Sequence, residues 1–513
     1  MTERFIASSG FLLLMLAACS PQKNISENYP AKYNSVLIAP TDTEKEIIRK
    51  AANVVPTPRQ LRWQALELTG FFHFGINTFT NREWGDGKED PKLFNPTQLD
   101  ALQWVRTAKD AGIKQVILTA KHHDGFCLWP TKTTEHSVKN SPWKGGKGDA
   151  VKEVAEACKK EGIGFGIYLS PWDRNSSVYG TDAYNDFFAQ QLTELLTNYG
   201  RVDEVWFDGA NGEGPNGKKQ VYDFGRWYKL IRRLQPQAVI AIMGPDVRWV
   251  GTETGQGREQ EWSVVPANNL DPQAVAENSQ KGIAFKPQGD MRGSDLGSRE
   301  KILQAKGLVW YPAETDVSIR PGWFYHESED SKVKTPRQLT GIYLNSVGRN
   351  GVLLLNIPPD KRGLINENDA RNLLEWKRLR DEIFSVNLAK DASLYAANGE
   401  NLKALVDEKD DTHFTTTGTD TTTTIEISFK APQTVNVLAL QENIREGQRI
   451  ESFVLEYWNG NEWKKATEGT TVGYKRLMRF ASVTTNKLRL RILSSRLNPF
   501  LAELALYNAP TEK

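Results

Sequence analysis

Val205-Trp206-Phe207-Asp208-Gly209 is the stretch on which the reading of this 513-residue chain turns. A short apolar run ending in a carboxylate and a glycine has the form of a parallel strand buried on both faces. In an α/β barrel, an ionisable group just past the end of such a strand lies on the rim where the reactive side chains gather. Taken alone, the same residues also fit a turn or a helix cap, because Asp and Gly serve both. The flanking sequence separates the two readings.

Strand patterns recur at residues 70–75, 115–120, 164–169 and 238–243, and amphipathic helical patterns fall between them at 99–112, 149–160, 187–198 and 221–234. Strand and helix in alternation predict a parallel barrel of the α/β class, with a less regular second half. Polar residues collect just past the strands: His73 with Arg82-Glu83-Trp84 after the first, Lys121-His122-His123-Asp124 after the second, and Ser170-Pro171-Trp172-Asp173-Arg174 after the third. Asp208 follows the fourth strand and Gly251-Thr252-Glu253 the fifth. In a barrel all of these share one face. Three of the chain's six histidines are among them.

Two carboxylates and several neutral hydrogen-bonding groups around an aromatic cup suit glycoside hydrolysis. One carboxylate must be ionised to attack the anomeric carbon, and the other must be protonated to donate to the leaving oxygen. Asp208 and Glu253 are the expected pair. A metal at His122-His123-Asp124 is disfavoured because adjacent strand residues point to opposite faces, and no His-Glu-x-x-His or Cys-x-x-Cys pattern accompanies it. The chain has no Walker loop and no Gly-x-Ser-x-Gly elbow, so P-loop nucleotide and serine-hydrolase chemistry lose their usual signatures. No cofactor is expected.

Phe72-His73-Phe74-Gly75, Arg82-Glu83-Trp84-Gly85, Lys121-His122-His123-Asp124-Gly125-Phe126, Trp206-Phe207-Asp208-Gly209 and Arg320-Pro321-Gly322-Trp323-Phe324-Tyr325-His326 occur in this order. Over roughly residues 60–385 the chain resembles glycoside hydrolase family 29, the α-L-fucosidases. The resemblance implies a retaining mechanism on a (β/α)8-like barrel without metal or cofactor, with Asp208 at the place of the family's nucleophile. It also implies that His73, Glu83, Trp84, His122, His123 and Trp323 surround the fucose, with Tyr168 beside them. The stretch Gly244–Glu253 resembles the branch acting on α-1,3/1,4-linked fucose, where the matching Glu is the acid/base; Glu259, Glu261 and Glu314 are the alternatives. For a 6-deoxy sugar with an axial 4-hydroxyl, His73, His122 and Glu83 are expected at the hydroxyl and Trp323 and Phe74 at the methyl. Two other readings stay open: another retaining glycosidase on the same barrel, and a non-catalytic glycan-binding surface lipoprotein.

A hydrophobic fraction of 39% and a charged fraction of 25% are those of a globular protein, and a formal net charge of +2 gives no electrostatic reason to expect nucleic acid. At the N-terminus, Arg4 precedes Phe11-Leu12-Leu13-Leu14-Met15-Leu16, too short an apolar run to span a membrane as a mature helix. With Leu16-Ala17-Ala18-Cys19 it resembles a lipoprotein signal cleaved before Cys19, which implies export to the periplasm or the surface of a bacterium and a lipid anchor as the sole membrane link. The expected organisation is a signal at 1–19, a polar tether at 20–55, the barrel at 56–388 and a smaller β-sandwich at 391–513. The last rests on alternating Thr-rich segments such as Thr421–Phe429 and on the hairpin signal Asn459-Gly460-Asn461, and resembles a discoidin-like (galactose-binding-like) module. Cys127 and Cys158 are too few for a disulfide framework, and Cys158 falls at helical spacing from Val151 and Val154, as a packed thiol does.

Overall fold

The computed structural model describes residues 32–267 and 293–510, so the signal, Cys19 and the start of the tether lie outside the described residues. Eight strands build the larger body: β1 Leu68–Phe72, β2 Gln115–Lys121, β3 Gly164–Leu169, β4 Glu204–Phe207, β5 Val239–Ile242, β6 Arg248–Trp249, β7 Ala313–Ser318 and β8 Gly351–Asn356. They pair in the order β5-β4-β3-β2-β1-β8-β7-β6, every pair parallel. Among the described residues no ladder joins β5 to β6, and the barrel is nearly closed.

Helices α1 Ala101–Asp110, α2 Ala150–Glu161, α3 Asp182–Asn198, α4 Phe224–Leu234, α5 Pro336–Ser346 and α6 Glu367–Ile383 follow β1, β2, β3, β4, β7 and β8. Their starts are set locally. Asp100, Asp149 and Asp223 each accept the backbone N–H three residues on, and Thr335 with Gln338 forms a reciprocal cap ahead of Pro336. Gly162, at φ +73°, ends α2 in the left-handed region that glycine adopts at little cost.

Alternation along β1 divides the core in two. Phe72 and Phe74 point outward and meet Trp104 of α1 edge-on, at 5.7 and 5.0 Å between ring centroids. Phe71 and His73 point inward, where Phe71 meets Tyr168 and Trp206. This corrects the expectation for Phe74: a residue one step from His73 faces the helices, and cannot wall the cup.

The segment expected as a tether is folded from residue 32 onward. Ser35–Leu37 pairs antiparallel with Gly307–Trp310, and a helix at Glu44–Ala52, capped by Thr43 and Glu46, buries Ile47, Ile48, Ala51 and Ala52. Those four positions are one helical stripe set among polar residues, which composition alone hides.

Past α6 the smaller body is an antiparallel sheet. Two strands of 20 residues, Thr423–Glu442 and Arg476–Ser495, pair along their length with irregularities at Ser428/Gln433 and Val435/Val437. Ser393–Tyr395 adds to the first part of the former strand and Leu501–Tyr507 to its last part. Bulges increase local twist and bend a strand, so the sheet folds over a core that includes Ile425, Leu438, Leu455, Leu490 and Leu504. Cys127 and Cys158 are buried, free thiols.

Candidate active site

The ends of β1, β2, β3 and β4 deliver His73, His122, His123, Tyr168 and Asp208 to one cup. Tyr168 donates its hydroxyl to Asp208 Oδ2 at 3.1 Å, and the backbone N–H of Ala210 donates to Oδ1 at 2.7 Å. His123 Nε2 lies 3.8 Å from the same Oδ2, and the Asp208 side chain is 26% exposed. Asp208 is therefore held by two donors with one edge open to solvent.

The histidine tautomers follow from their neighbours. Ser170 Oγ donates to the Trp172 carbonyl at 2.6 Å, so it accepts from His123 Nδ1 at 2.7 Å. Asn356 uses its Nδ2 on Ser318 and on the Trp323 carbonyl, so its Oδ1 accepts from His73 Nδ1 at 2.9 Å. In both rings this leaves Nε2 as an acceptor. Burial holds all three rings neutral: it lowers His73 to about 3, takes His122 well below the ordinary histidine value, and lowers His123 against the pull of Asp208. Neutral imidazoles offering acceptors suit hydroxyl donors, as on a sugar.

His122 and His123 correct an assumption made from the strand pattern. Strand β2 stops at Lys121, so the pair lies in the following turn, where strand alternation does not apply. Their ring centroids are 4.2 Å apart. His122 stacks on Tyr168 at 5.6 Å and 10°.

Glu83 is largely occupied with a loop. It accepts the backbone N–H groups of Trp323 and Phe324, at 2.8 and 3.2 Å, and His326 Nε2 at 2.6 Å. Trp323 is thereby brought 5.0 Å from the His73 ring. Trp84 is 56% exposed and meets His123 and Trp172 edge-on at 5.4 and 5.5 Å. Trp172, a member of the third rim cluster for which the sequence offers no role, is buried and packs on His123 at 5.0 Å.

The four candidate acids separate clearly. Glu253 is exposed on the loop after β6 and accepts from Trp323 Nε1 at 3.2 Å. Glu259 pairs with Arg349 and Arg476. Glu261 is buried between Arg248 and Arg258. Glu314 lies inside the barrel on β7, where it accepts from Trp206 Nε1 at 2.6 Å.

Beneath the cup the barrel holds Glu314 together with two further acids, Glu204 and Asp316. Glu204 Oε2 accepts from Trp63 Nε1 and Gln115 Nε2, at 3.1 and 2.6 Å. Glu204 faces Glu314, and burial raises both carboxyls above their ordinary range; Glu204 pushes Glu314 further up, while the hydrogen bonds Glu204 makes, that with Glu314 included, offset part of its own rise. Glu204 Oε1 and Glu314 Oε2 receive no donor from the other described residues. One proton held between the two satisfies both, as in other paired carboxyls. Above them Asp316, also raised by burial, accepts from Trp249 Nε1 at 2.7 Å.

Comparison with known proteins identifies the family of each body. The alpha-L-fucosidase family model matches residues 73–378, and the F5/8 type C domain model matches residues 389–503. Alpha-L-fucosidase 1 of Arabidopsis thaliana is 45% identical over 465 residues, covering 88% of this chain and 87% of that protein. A putative alpha-L-fucosidase from Bacteroides ovatus superposes with a TM-score of 0.83 at 51% identity, over 94% of this chain and 79% of that one. A family 29 fucosidase from Ruminococcus gnavus, solved in complex with fucose, superposes with a TM-score of 0.77 at 31% identity, over 89% and 95% of the two chains.

Proposed function

Because this chain belongs to the α-L-fucosidase family of glycoside hydrolases and its substrate is a fucosylated glycan, we propose that it is an exo-acting, retaining enzyme that uses Asp208 as nucleophile and Glu253 as acid/base. The observation that carries the reading is the setting of Asp208: an ionisable carboxylate at the end of β4, oriented by the Tyr168 hydroxyl and the Ala210 N–H, with an open edge.

In the first step an Asp208 oxygen attacks the anomeric carbon as the glycosidic bond breaks, and Glu253 gives its proton to the departing oxygen. In the second, Glu253 takes a proton from water, the water oxygen attacks the anomeric carbon, and the fucosyl–Asp208 ester bond breaks. Two inversions return the α-anomer. Such a mechanism calls for carboxyl groups about 5–5.5 Å apart. Glu253 hangs from Trp323, which packs on His73, so both carboxyl groups border one cluster of rings. The acceptors His73 Nε2 and His123 Nε2 take sugar hydroxyls, and Trp323, beside His73, supplies apolar surface.

Asp208→Ala tests the nucleophile. The expected result is loss of turnover on aryl fucosides, with azide restoring it and yielding a β-fucosyl azide; turnover resembling that of the parent enzyme overturns the assignment. The preference for α-1,3/1,4 linkages rests on the resemblance of residues 244–253 alone, and similar rates on Lewis-type and 2'-fucosylated oligosaccharides would remove it. Export and lipidation at Cys19 rest on residues 1–19, and failure of Cys19→Ala to release the protein from bacterial membranes would exclude the anchor.

A further inference from the structure

The loop bearing Glu253 leaves β6 and returns through residues 257–263, and different bodies hold its two ends. The outgoing part is tied to the barrel: Val250 N donates to Glu314 O at 2.9 Å, Gly255 N to Asp316 O at 3.1 Å, and Gly257 N to Asn345 O at 2.7 Å. The returning part is tied to the C-terminal sheet. Gln448 Oε1 accepts from Ser263 N at 2.8 Å while its Nε2 donates to Glu261 O at 3.0 Å. Thr471 Oγ1 accepts from Glu261 N at 3.1 Å. Thr470 Oγ1 and Arg476 Nη1 both donate to Glu259 O, at 2.9 and 2.8 Å. Gln448 and Thr471 are 0% and 1% exposed, so water does not replace what they supply.

The returning part is also coupled back to the root of the loop. The Glu261 carboxylate pairs with Arg248 of β6, and Arg248 Nη2 donates as well to the Trp262 carbonyl at 3.0 Å. Arg248 is fixed on its other side by the Tyr311 carbonyl at 2.9 Å. The backbone of Glu261 is thus set by the C-terminal sheet while its side chain sets the strand from which the Glu253 loop departs. A shift at residue 261 has a direct path to residues 248–253.

We propose that Gln448 and Thr471 are positioning residues for Glu253, so that the C-terminal domain acts in the reaction as a clasp on the acid/base loop. This rests on the reading of Glu253 as acid/base. A general acid contributes in proportion to how badly the leaving group needs a proton, and small misplacements in an active site can cost up to about a hundredfold. Loosening the clasp therefore harms poor leaving groups selectively. A role in stability alone removes folded enzyme and lowers every substrate by one factor.

The experiment compares kcat/KM on a dinitrophenyl fucoside and on a fucosylated oligosaccharide for Thr471→Val, Gln448→Leu, Thr471→Ser and Glu253→Gln in the full chain. Thr471→Val and Gln448→Leu are expected to lose about tenfold or more on the oligosaccharide and less than about threefold on the activated fucoside, with Thr471→Ser, which keeps the acceptor, near the parent enzyme. If Glu253→Gln shows this selectivity while Thr471→Val and Gln448→Leu lose both substrates equally or neither, the clasp is wrong and the acid/base reading stands. A Glu253→Gln variant that loses both equally overturns the acid/base reading and the clasp with it.

Discussion

The hydroxyl of Tyr168 donates to Asp208 Oδ2 across 3.1 Å, from the neighbouring strand of the barrel. Tyr168 is buried and stacks on Trp206, whose indole N–H is fixed by Glu314, so the donor's direction is imposed from below. Removing it frees the carboxylate to rotate and, on the mechanism proposed above, leaves it less stabilised as it departs from the fucosyl ester. Tyr168→Phe is expected to lower kcat/KM on aryl fucosides by about 10- to 100-fold, the equivalent of one hydrogen bond to a charged group at about 1.5–3 kcal/mol. Steady-state kinetics check it, and an unchanged kcat/KM would mean that Ala210 N alone suffices to orient Asp208.

Glu83 connects the loop after β1 to residues 322–326 through three accepted hydrogen bonds. A glutamine presents one oxygen where the carboxylate presents two, so Glu83→Gln cannot accept from both the backbone and His326 in the same geometry. The loss falls on the placement of Trp323, a wall of the cup. Roughly a tenfold rise in KM is expected, with a smaller change in kcat, from about 1.5 kcal/mol of lost binding. Equal losses in kcat and kcat/KM would place Glu83 in the transition state instead.

Much of this was legible in the chain because buried parallel strands advertise themselves. Gln115–Lys121 and Gly351–Asn356 are apolar enough to read directly, and the rim residues follow them. Strand β7, Ala313–Ser318, escapes the apolar pattern, since Glu314 and Asp316 alternate along it as on a solvated strand; here they face a barrel interior whose burial favours their protonated forms and which gives each an indole hydrogen bond. Strand β6 has two residues, too short for any periodicity. Trp172 and Asn356 were visible as rim or strand-end residues, but only their contacts with His123 and His73 mark them as part of the site.

The three buried histidines give the fold an acid-side sensitivity. Their folded-state values are lowered by burial, to about 3 for His73, from an ordinary 6.5. The unfolded chain therefore binds protons that the folded one refuses, and stability is lost as pH falls below about 6.5, by up to about 1.4 kcal/mol per pH unit for each ring. Because raised carboxyls oppose this slope, the test is a difference: from neutral pH downward the urea midpoint of the parent is expected to fall more steeply than that of His73→Gln. Equal slopes in the two would mean that His73 accepts a proton without cost to the fold.

The carboxyl pair Glu204–Glu314 acts in the opposite direction. Both groups are raised in the folded state, so the folded chain retains a proton that the unfolded chain releases, and stability is lost as pH rises from the ordinary carboxylate range toward the raised one. Asp124, pushed up to about 7 by burial, adds to the same slope. Glu204→Gln keeps an oxygen to accept from Trp63 and Gln115 and can donate to Glu314, replacing the shared proton by an amide that does not titrate. That variant is expected to show a flatter decline in unfolding temperature on the alkaline side than the parent enzyme, with little change at mildly acidic pH. Thermal unfolding across the pH range decides it: an undiminished alkaline slope in Glu204→Gln would show that Glu204 does not hold the proton, and a large loss at every pH would show that the acid pair serves packing rather than titration.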